Sequence, residues 1–175
     1  MAHIISTKRL HLSELDDGDV AFIHQLFNDP DCIRFIGDRG LHTLDDALGY
    51  LKDKLIHSYR THGYGLYKVT RQYDPQPLGI CGLVKRDADN PPDIGFAFLP
   101  AYRNGGYCTE ASQAIMQWAA DQQISPVILA YTNPDNLASI RVLEKIGLHK
   151  QAITTLPGQD FESLILSTEL PEKTN

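Results

Sequence analysis

In RLHLSEL (9–15), Leu10 and Leu12 alternate with polar neighbours, the two-residue period of a half-buried strand. Asp16, Asp17 and Asp19 then supply the acidic first turn of a helix over VAFIHQLF (20–27), and Asn28-Asp29-Pro30 reads as its stop. Thr43 followed by Asp46 resembles a capping box with Asp in place of Glu, opening a helix that runs toward His62. GLYKVT (65–70) and PLGICGLVK (77–85) read as a hairpin around Tyr73-Asp74-Pro75. DIGFAFL (93–99) is a strand bounded by Asn90-Pro91-Pro92 and Pro100. A helix from about Gly106 to Gln122, a short strand VILAYT (127–132) and a helix LASIRVLEKIG ending at Gly147 follow. ITTL and FESLILSTEL predict a closing hairpin, and PEKTN (171–175) reads as a frayed tail. This order predicts an α+β fold: one domain over 1–175, with a mixed, mostly antiparallel sheet of six to seven strands and helices on both faces.

Composition narrows the function. The 175 residues carry 16 basic and 22 acidic side chains, a net charge of -6. Binders of nucleic acid or anionic membranes need a basic face, so neither is expected as a partner. No apolar run reaches the length of a membrane span, and MAHIISTKRL has no signal-peptide core. Cys32, Cys81 and Cys108 lie far apart without metal-ligand spacing; they read as reduced thiols of a cytoplasmic protein with no metal.

The stretch AYRNGGYCTEA (101–111) carries the strongest chemical signal. A strand ends at Pro100, a turn carries Gly105 and Gly106, and a helix begins. Such a turn aims free backbone N–H groups at one point with the helix dipole behind them, which suits a phosphate or pyrophosphate. Glycine lets that group approach where a Cβ would collide. A plain tight turn is the competing reading. The stretch is not a Walker loop, because no Gly-Lys-Ser/Thr follows. Nor is it a dinucleotide fingerprint, because the glycine spacing is wrong and hairpins, not a βαβ unit, precede it.

Phe98-x-Pro100-x-x-Arg103-x-x-Gly106-x-Cys108 resembles the acyl-CoA signature of the GNAT superfamily of N-acetyltransferases, written R/Q-x-x-G-x-G/A. Downstream, Asn136-Leu137-Ala138-Ser139 leading into Glu144-Lys145-Ile146-Gly147-Leu148 is similar to that family's N-x-x-S/A…EK-x-G-F segment. Thr7-Lys8-Arg9-Leu10-x-Leu12 resembles the opening strand of the RimJ/RimL-like branch, and Gly106-Tyr107-Cys108-Thr109-Glu110-Ala111 fits its GYATEA with one change. The three motifs stand in the family's order, from Thr7 to about Leu166.

The resemblance implies acetyl-CoA as acyl donor, held in a cleft between strands 93–99 and 127–132. Its pantetheine arm would pair with backbone around Phe96, Phe98 and Leu99. Its pyrophosphate would sit on the turn formed by Arg103, Asn104, Gly105, Gly106, Tyr107, Cys108 and Thr109, with Arg103 as a nearby cation. Asn136 would bond the pantetheine amide, cap the following helix, or do both.

For catalysis, the resemblance places Asp93 where the branch carries a carboxylate that acts through water as base; an exposed Asp at a strand start is the alternative. The family's acid tyrosine corresponds to Leu143, so that acid is absent. Ser139 is the candidate to bond the departing sulfur, against a role limited to the helix's first turn. Cys108 at a helix N-terminus should have a lowered thiol pKa, yet no histidine spacing marks it as a nucleophile, and it reads as a small packing residue. Tyr59, Tyr64 and Tyr67 serve either as acceptor wall or as core. The implied activity is transfer of acetyl to a primary amine by direct attack in a ternary complex. The acceptor is a protein N-terminus, such as a ribosomal protein's, or a small amine, met by regions 30–63 and 153–163. A non-catalytic acyl-CoA-binding sensor is the rival. The chain is compatible with a monomer or a homodimer.

Overall fold

The computed structural model describes residues 3–173; residues 1, 2, 174 and 175, including the end of the expected frayed tail, lie outside it. The strand period around Leu10 produces β2 (Leu10–Ser13), and a tight turn at Thr7 returns the chain onto β1 (His3–Ser6). The first helix, α1 (Val20–Phe27), has the expected bounds. Asn28-Asp29-Pro30 stops it but also starts α2 (Pro30–Ile36), which the sequence reading missed. Proline at the first helical position loses no bond, and the Asp29 carboxylate accepts the N–H of Cys32. The Thr43–Asp46 capping box forms in both directions and opens α3 (Leu44–Tyr50). A π-helical stretch over Leu51–Ile56 then leads into α4 (His57–His62).

β3 (Leu66–Arg71), β4 (Asp74–Val84) and β5 (Asp93–Phe98) form the central antiparallel strands. They are followed by α5 (Tyr107–Asp121), β6 (Leu129–Thr132), α6 (Leu137–Lys145), β7 (His149–Thr155) and β8 (Glu162–Ser167). The helix α6 ends in a Schellman motif: Leu148 N–H donates to the Leu143 carbonyl and Gly147 N–H to that of Glu144.

The sheet order is β1-β2-β3-β4-β5-β6-β8-β7. Among the described residues, eight strands replace the expected six to seven. The addition is β1, whose adjacent Ile4 and Ile5 give no alternation and whose pairing exists only through the return onto β2. Helices do cover both faces. Tyr67, Val69, Leu78 and Leu83 pack with Ala111 and Ile115 of α5 and Leu143 of α6. On the other face, Ile80 and Leu99 pack with Phe22, Ile23 and Leu26 of α1 and with Leu51 and Leu55. No helix among the described residues is long and apolar enough to cross a membrane.

Among the described residues all pairings are antiparallel except β5 with β6, which run parallel and meet at Asp93 and Leu129 alone. Beyond that point the two strands diverge. Successive residues of a strand turn their backbone groups to opposite edges. Leu99 N–H donates to the Leu78 carbonyl and Leu129 N–H to that of Pro92. Phe96 and Phe98 therefore turn their backbone groups toward β6, into the gap.

Beneath the helical face, Lys68 Nζ lies 2.9 and 3.1 Å from the two oxygens of Asp19, with side chains only 7% and 9% exposed. This pair ties the start of α1 to β3. Lys68→Met should destabilise by about 3–5 kcal/mol because the Asp19 charge is left buried alone. Adding Asp19→Asn should recover part of that loss, and urea denaturation of the single and double variants measures both.

Candidate active site

A cavity of about 970 Å³ opens where β5 and β6 separate. One end is the turn after β5. Its backbone is unusual, with Asn104 at φ 65° and Gly106 at φ 80°, the left-handed region. A helix leaves its first N–H groups without intrahelical partners. Side chains cap α2, α3 and α6, but α5 begins at Gly106, which has none to offer. The first α5 bond runs from Glu110 N–H to the Gly106 carbonyl, so the amides of Tyr107, Cys108 and Thr109 have no acceptor in the helix. All three residues line the cavity, together with Arg103, Asn104 and Gly106.

Gly105 stands on the other side of the turn. Its carbonyl accepts Arg9 Nη1 at 3.0 Å. Arg9 also pairs through Nε with Glu110 at 2.6 Å and lies 4.4 Å from the centre of the Tyr107 ring. Thr7 Oγ1 and the Arg9 N–H donate to the other Glu110 oxygen at 2.7 and 3.0 Å. Burial raises the Glu110 pKa, but the bonds from Thr7 and Arg9 outweigh it and leave a net lowering. The TKR and TEA segments are thus bonded across about a hundred residues, a link that sequence spacing could not reveal.

Arg103 is engaged otherwise than expected. Its guanidinium pairs with Asp29 and Asp31, each at 2.6 Å, and its Nε donates to the Phe98 carbonyl at 3.0 Å. Instead of standing as a free cation at the turn, it joins α2 to the end of β5. Leu99 requires a correction. Its N–H is taken by Leu78, its carbonyl accepts Tyr102 N–H, and its side chain is buried in the α1 face of the core. The backbone open to a pantetheine arm is that of Phe96 and the N–H of Phe98.

The far wall comes from β6 and α6. Asn136 Oδ1 caps α6 by accepting Ser139 N–H at 3.2 Å, leaving two donors on the same amide. Thr132 Oγ1 donates to Ser139 Oγ at 3.1 Å. Because the serine oxygen accepts there, its own hydrogen is free to point elsewhere. The sequence reading missed Thr132, whose position at the end of β6 was its only cue.

Asp93 is not the exposed strand-start residue of the alternative reading; it is 2% exposed. Arg86 clasps it in a fork, Nε to Oδ1 at 3.0 Å and Nη2 to Oδ2 at 3.1 Å, and stacks over Tyr131 at 4.7 Å. Burial pushes the carboxyl up to about 6, although Arg86 opposes the shift. Arg86 was missed as well; it lies two residues past Val84, which pairs with Asp93, and that register exists only in the folded sheet.

Cys108 departs from the lowered pKa expected at a helix N-terminus. Burial, with Cys81 nearby, pushes its thiol well up, and it packs on the core as a small residue. Tyr59 and Tyr67 stack with centroids 5.2 Å apart inside the core, and Tyr64 is buried with them, so these rings are core. Past Asp93 the cavity extends to Arg39, Tyr50, Gln159 and Phe161, within the two regions expected to meet the acceptor. The Gln159 Oε1 atom is buried without a hydrogen-bond partner among the described residues.

A splayed parallel strand pair with an uncapped glycine turn at its mouth is the arrangement that the sequence motifs implied. The profile of the acetyltransferase (GNAT) domain family matches residues 9–149. The chain belongs to the GNAT acetyltransferase family. It is an N-acetyltransferase of the RimJ/RimL type that uses acetyl-CoA, which sets the sensor reading aside. The N-acetyltransferase YnaD of Bacillus subtilis is 26% identical over 147 residues, covering 84% of this chain and 83% of that protein. YkkB of the same organism is 30% identical over 146 residues, with 82% and 83% covered. Among solved structures, a GNAT acetyltransferase from Bacillus anthracis superposes with a TM-score of 0.77 at 23% identity, covering 93% and 96% of the two chains. RimL, a ribosomal L7/L12 alpha-N-protein acetyltransferase solved with coenzyme A, gives 0.77 at 17% identity over 94% and 96%. At such identities the two structures speak for the GNAT fold.

The raised carboxyl of Asp93 carries a pH signature. A group that binds its proton more tightly when folded stabilises fully below its unfolded pKa, and that contribution is lost as pH rises through the folded value. From about pH 4 to about 6, this acetyltransferase should lose stability relative to its Asp93→Asn variant, by up to about 3 kcal/mol. Parallel urea titrations across that window measure the difference, which should level off above it.

Proposed function

We propose that this one-domain enzyme transfers acetyl from acetyl-CoA to a primary amine by direct attack within a ternary complex. The observation that carries the reading is the gap between β5 and β6, bordered by open strand backbone and closed at its mouth by the uncapped N-terminus of α5. A pantetheine arm fits there as a short added strand on Phe96 and Phe98, and a pyrophosphate as the missing cap of α5. The acceptor amine attacks the thioester carbonyl carbon; the new C–N bond forms and the C–S bond breaks, releasing the thiolate of CoA.

Asp93, ionised at neutral pH yet more basic than an ordinary carboxylate, takes the amine proton through a water. Ser139 donates its free hydroxyl hydrogen to the developing thiolate. The acceptor enters from the side of Arg39, Tyr50 and Gln159. A buried carbonyl oxygen without a donor, as on Gln159, suits an N–H-bearing ligand. Protein N-termini, acted on by RimL, and small amines, such as those of the aminoglycoside acetyltransferase with which the chain shares its fold, are the two acceptor classes.

The primary test is binding followed by turnover. Acetyl-CoA at a hundred times its Kd should stabilise the protein by about 2.7 kcal/mol, read as a rise in Tm. Thiol release should then depend on an amine when a panel of N-terminal peptides and small amines is supplied. No thermal shift with either acetyl-CoA or CoA, in folded protein, would remove the basis of the proposal.

Ser139→Ala isolates the sulfur contact. With a proven acceptor, kcat and kcat/KM should fall together, by on the order of 10²-fold at most, while acetyl-CoA affinity holds. Wild-type turnover would make Ser139 a structural residue of α6.

A further inference from the structure

The peptide between Gly105 and Gly106 has two faces with opposite consequences for an anion. A trans peptide is planar, so its C=O and N–H point in opposite directions; the chain contains no cis peptide among its described residues. The Gly105 carbonyl is bonded from outside the cavity by Arg9 Nη1 at 3.0 Å. The Gly106 N–H therefore points the other way, toward the cavity that Gly106 lines and Gly105 does not.

Two successive glycines put little steric resistance in the way of rotating this peptide by half a turn. Rotated, it would aim a carbonyl at the phosphate and repel it. Arg9 prevents this, and Arg9 is itself fixed at two further points. Its Nε bonds Glu110 at 2.6 Å, and its guanidinium covers the Tyr107 ring. Glu110 in turn is anchored by Thr7 Oγ1 at 2.7 Å. A Cβ at Gly106 would come within 3.3 Å of Arg9 Nη2, so the guanidinium sits directly behind the turn.

We infer that Arg9 is a positioning residue: by holding the Gly105 carbonyl from behind, it keeps the Gly106 N–H aimed at the pyrophosphate of acetyl-CoA. The inference rests on the reading that this turn receives the pyrophosphate. Arg9 acts without touching the substrate, and it links the bend before β2 to the turn that opens α5.

The test compares two acyl donors, acetyl-CoA and acetyl-pantetheine, which lacks the pyrophosphate and nucleotide. Arg9→Leu should raise the KM for acetyl-CoA at least tenfold while kcat stays within about threefold. Acetyl-pantetheine should show the same KM in both proteins. Arg9→Lys, which keeps the Glu110 pair but cannot fork to the carbonyl, should fall between them and serves if the leucine variant folds poorly. In amide NMR, the Gly106 proton should shift downfield when CoA is added to the wild type, lose most of that shift in Arg9→Leu and lose part of it in Arg9→Lys. Equal KM increases for both donors would mean that Arg9 only braces α5, and an unchanged acetyl-CoA KM would mean that the turn keeps its orientation alone; either result overturns the inference. If wild-type protein fails to prefer acetyl-CoA over acetyl-pantetheine, the pyrophosphate reading of the turn falls instead, whatever Arg9 does.

Discussion

The single backbone contact between β5 and β6 at Asp93 and Leu129 is the constraint on which the site depends. Elsewhere in the sheet neighbouring strands pair over several residues. Here two parallel strands touch at one residue and part, so backbone groups that a sheet would ordinarily satisfy remain open along β5. The chain leaves β5 into α5 and β6 into α6, so both helices begin at the mouth of the gap. One brings uncapped amides; the other brings Asn136 and Ser139. Asp93 lies at the vertex, and its burial follows from that position.

Charge is used in pairs around this gap. Arg9 with Glu110, Arg103 with Asp29 and Asp31, and Arg86 with Asp93 each join segments distant in sequence or across a hairpin. Where such pairs face solvent they add little stability, but forked ones fix geometry. In a chain of net charge -6 they also occupy Arg9 and Arg103, the arginines that bracket the glycine turn. At the turn itself, attraction for a polyanionic donor then falls on oriented N–H groups and the α5 dipole, whose aim depends on backbone conformation.

Burial has different consequences for two groups in the cavity. For Asp93 it raises a carboxyl toward the range where a base works near neutrality, with Arg86 as counterweight. For Cys108 it raises a thiol away from reactivity, and no cation lies among the causes of its shift to oppose this. Desolvation is the first cause of that shift, opposite in sign to the lowering expected from a place at a helix N-terminus.

The sequence by itself determined what depends on local pattern. Periodicity set α1 to the residue, the Thr43–Asp46 box set the start of α3, and Gly147 set the end of α6, because caps and amphipathic faces are encoded within a few residues. The glycine turn and the Asn136-x-x-Ser139 segment were legible for the same reason. The tertiary structure alone decided which groups were already taken. Leu99 lost its backbone groups to Leu78 and Tyr102, and Arg103 gave its guanidinium to α2. Asp93 gained Arg86, and the turn gained Arg9 from the β1–β2 connection about a hundred residues away. A hydrogen bond satisfies each group once, and whether a group remains free depends on neighbours that only the folded chain brings within 3 Å.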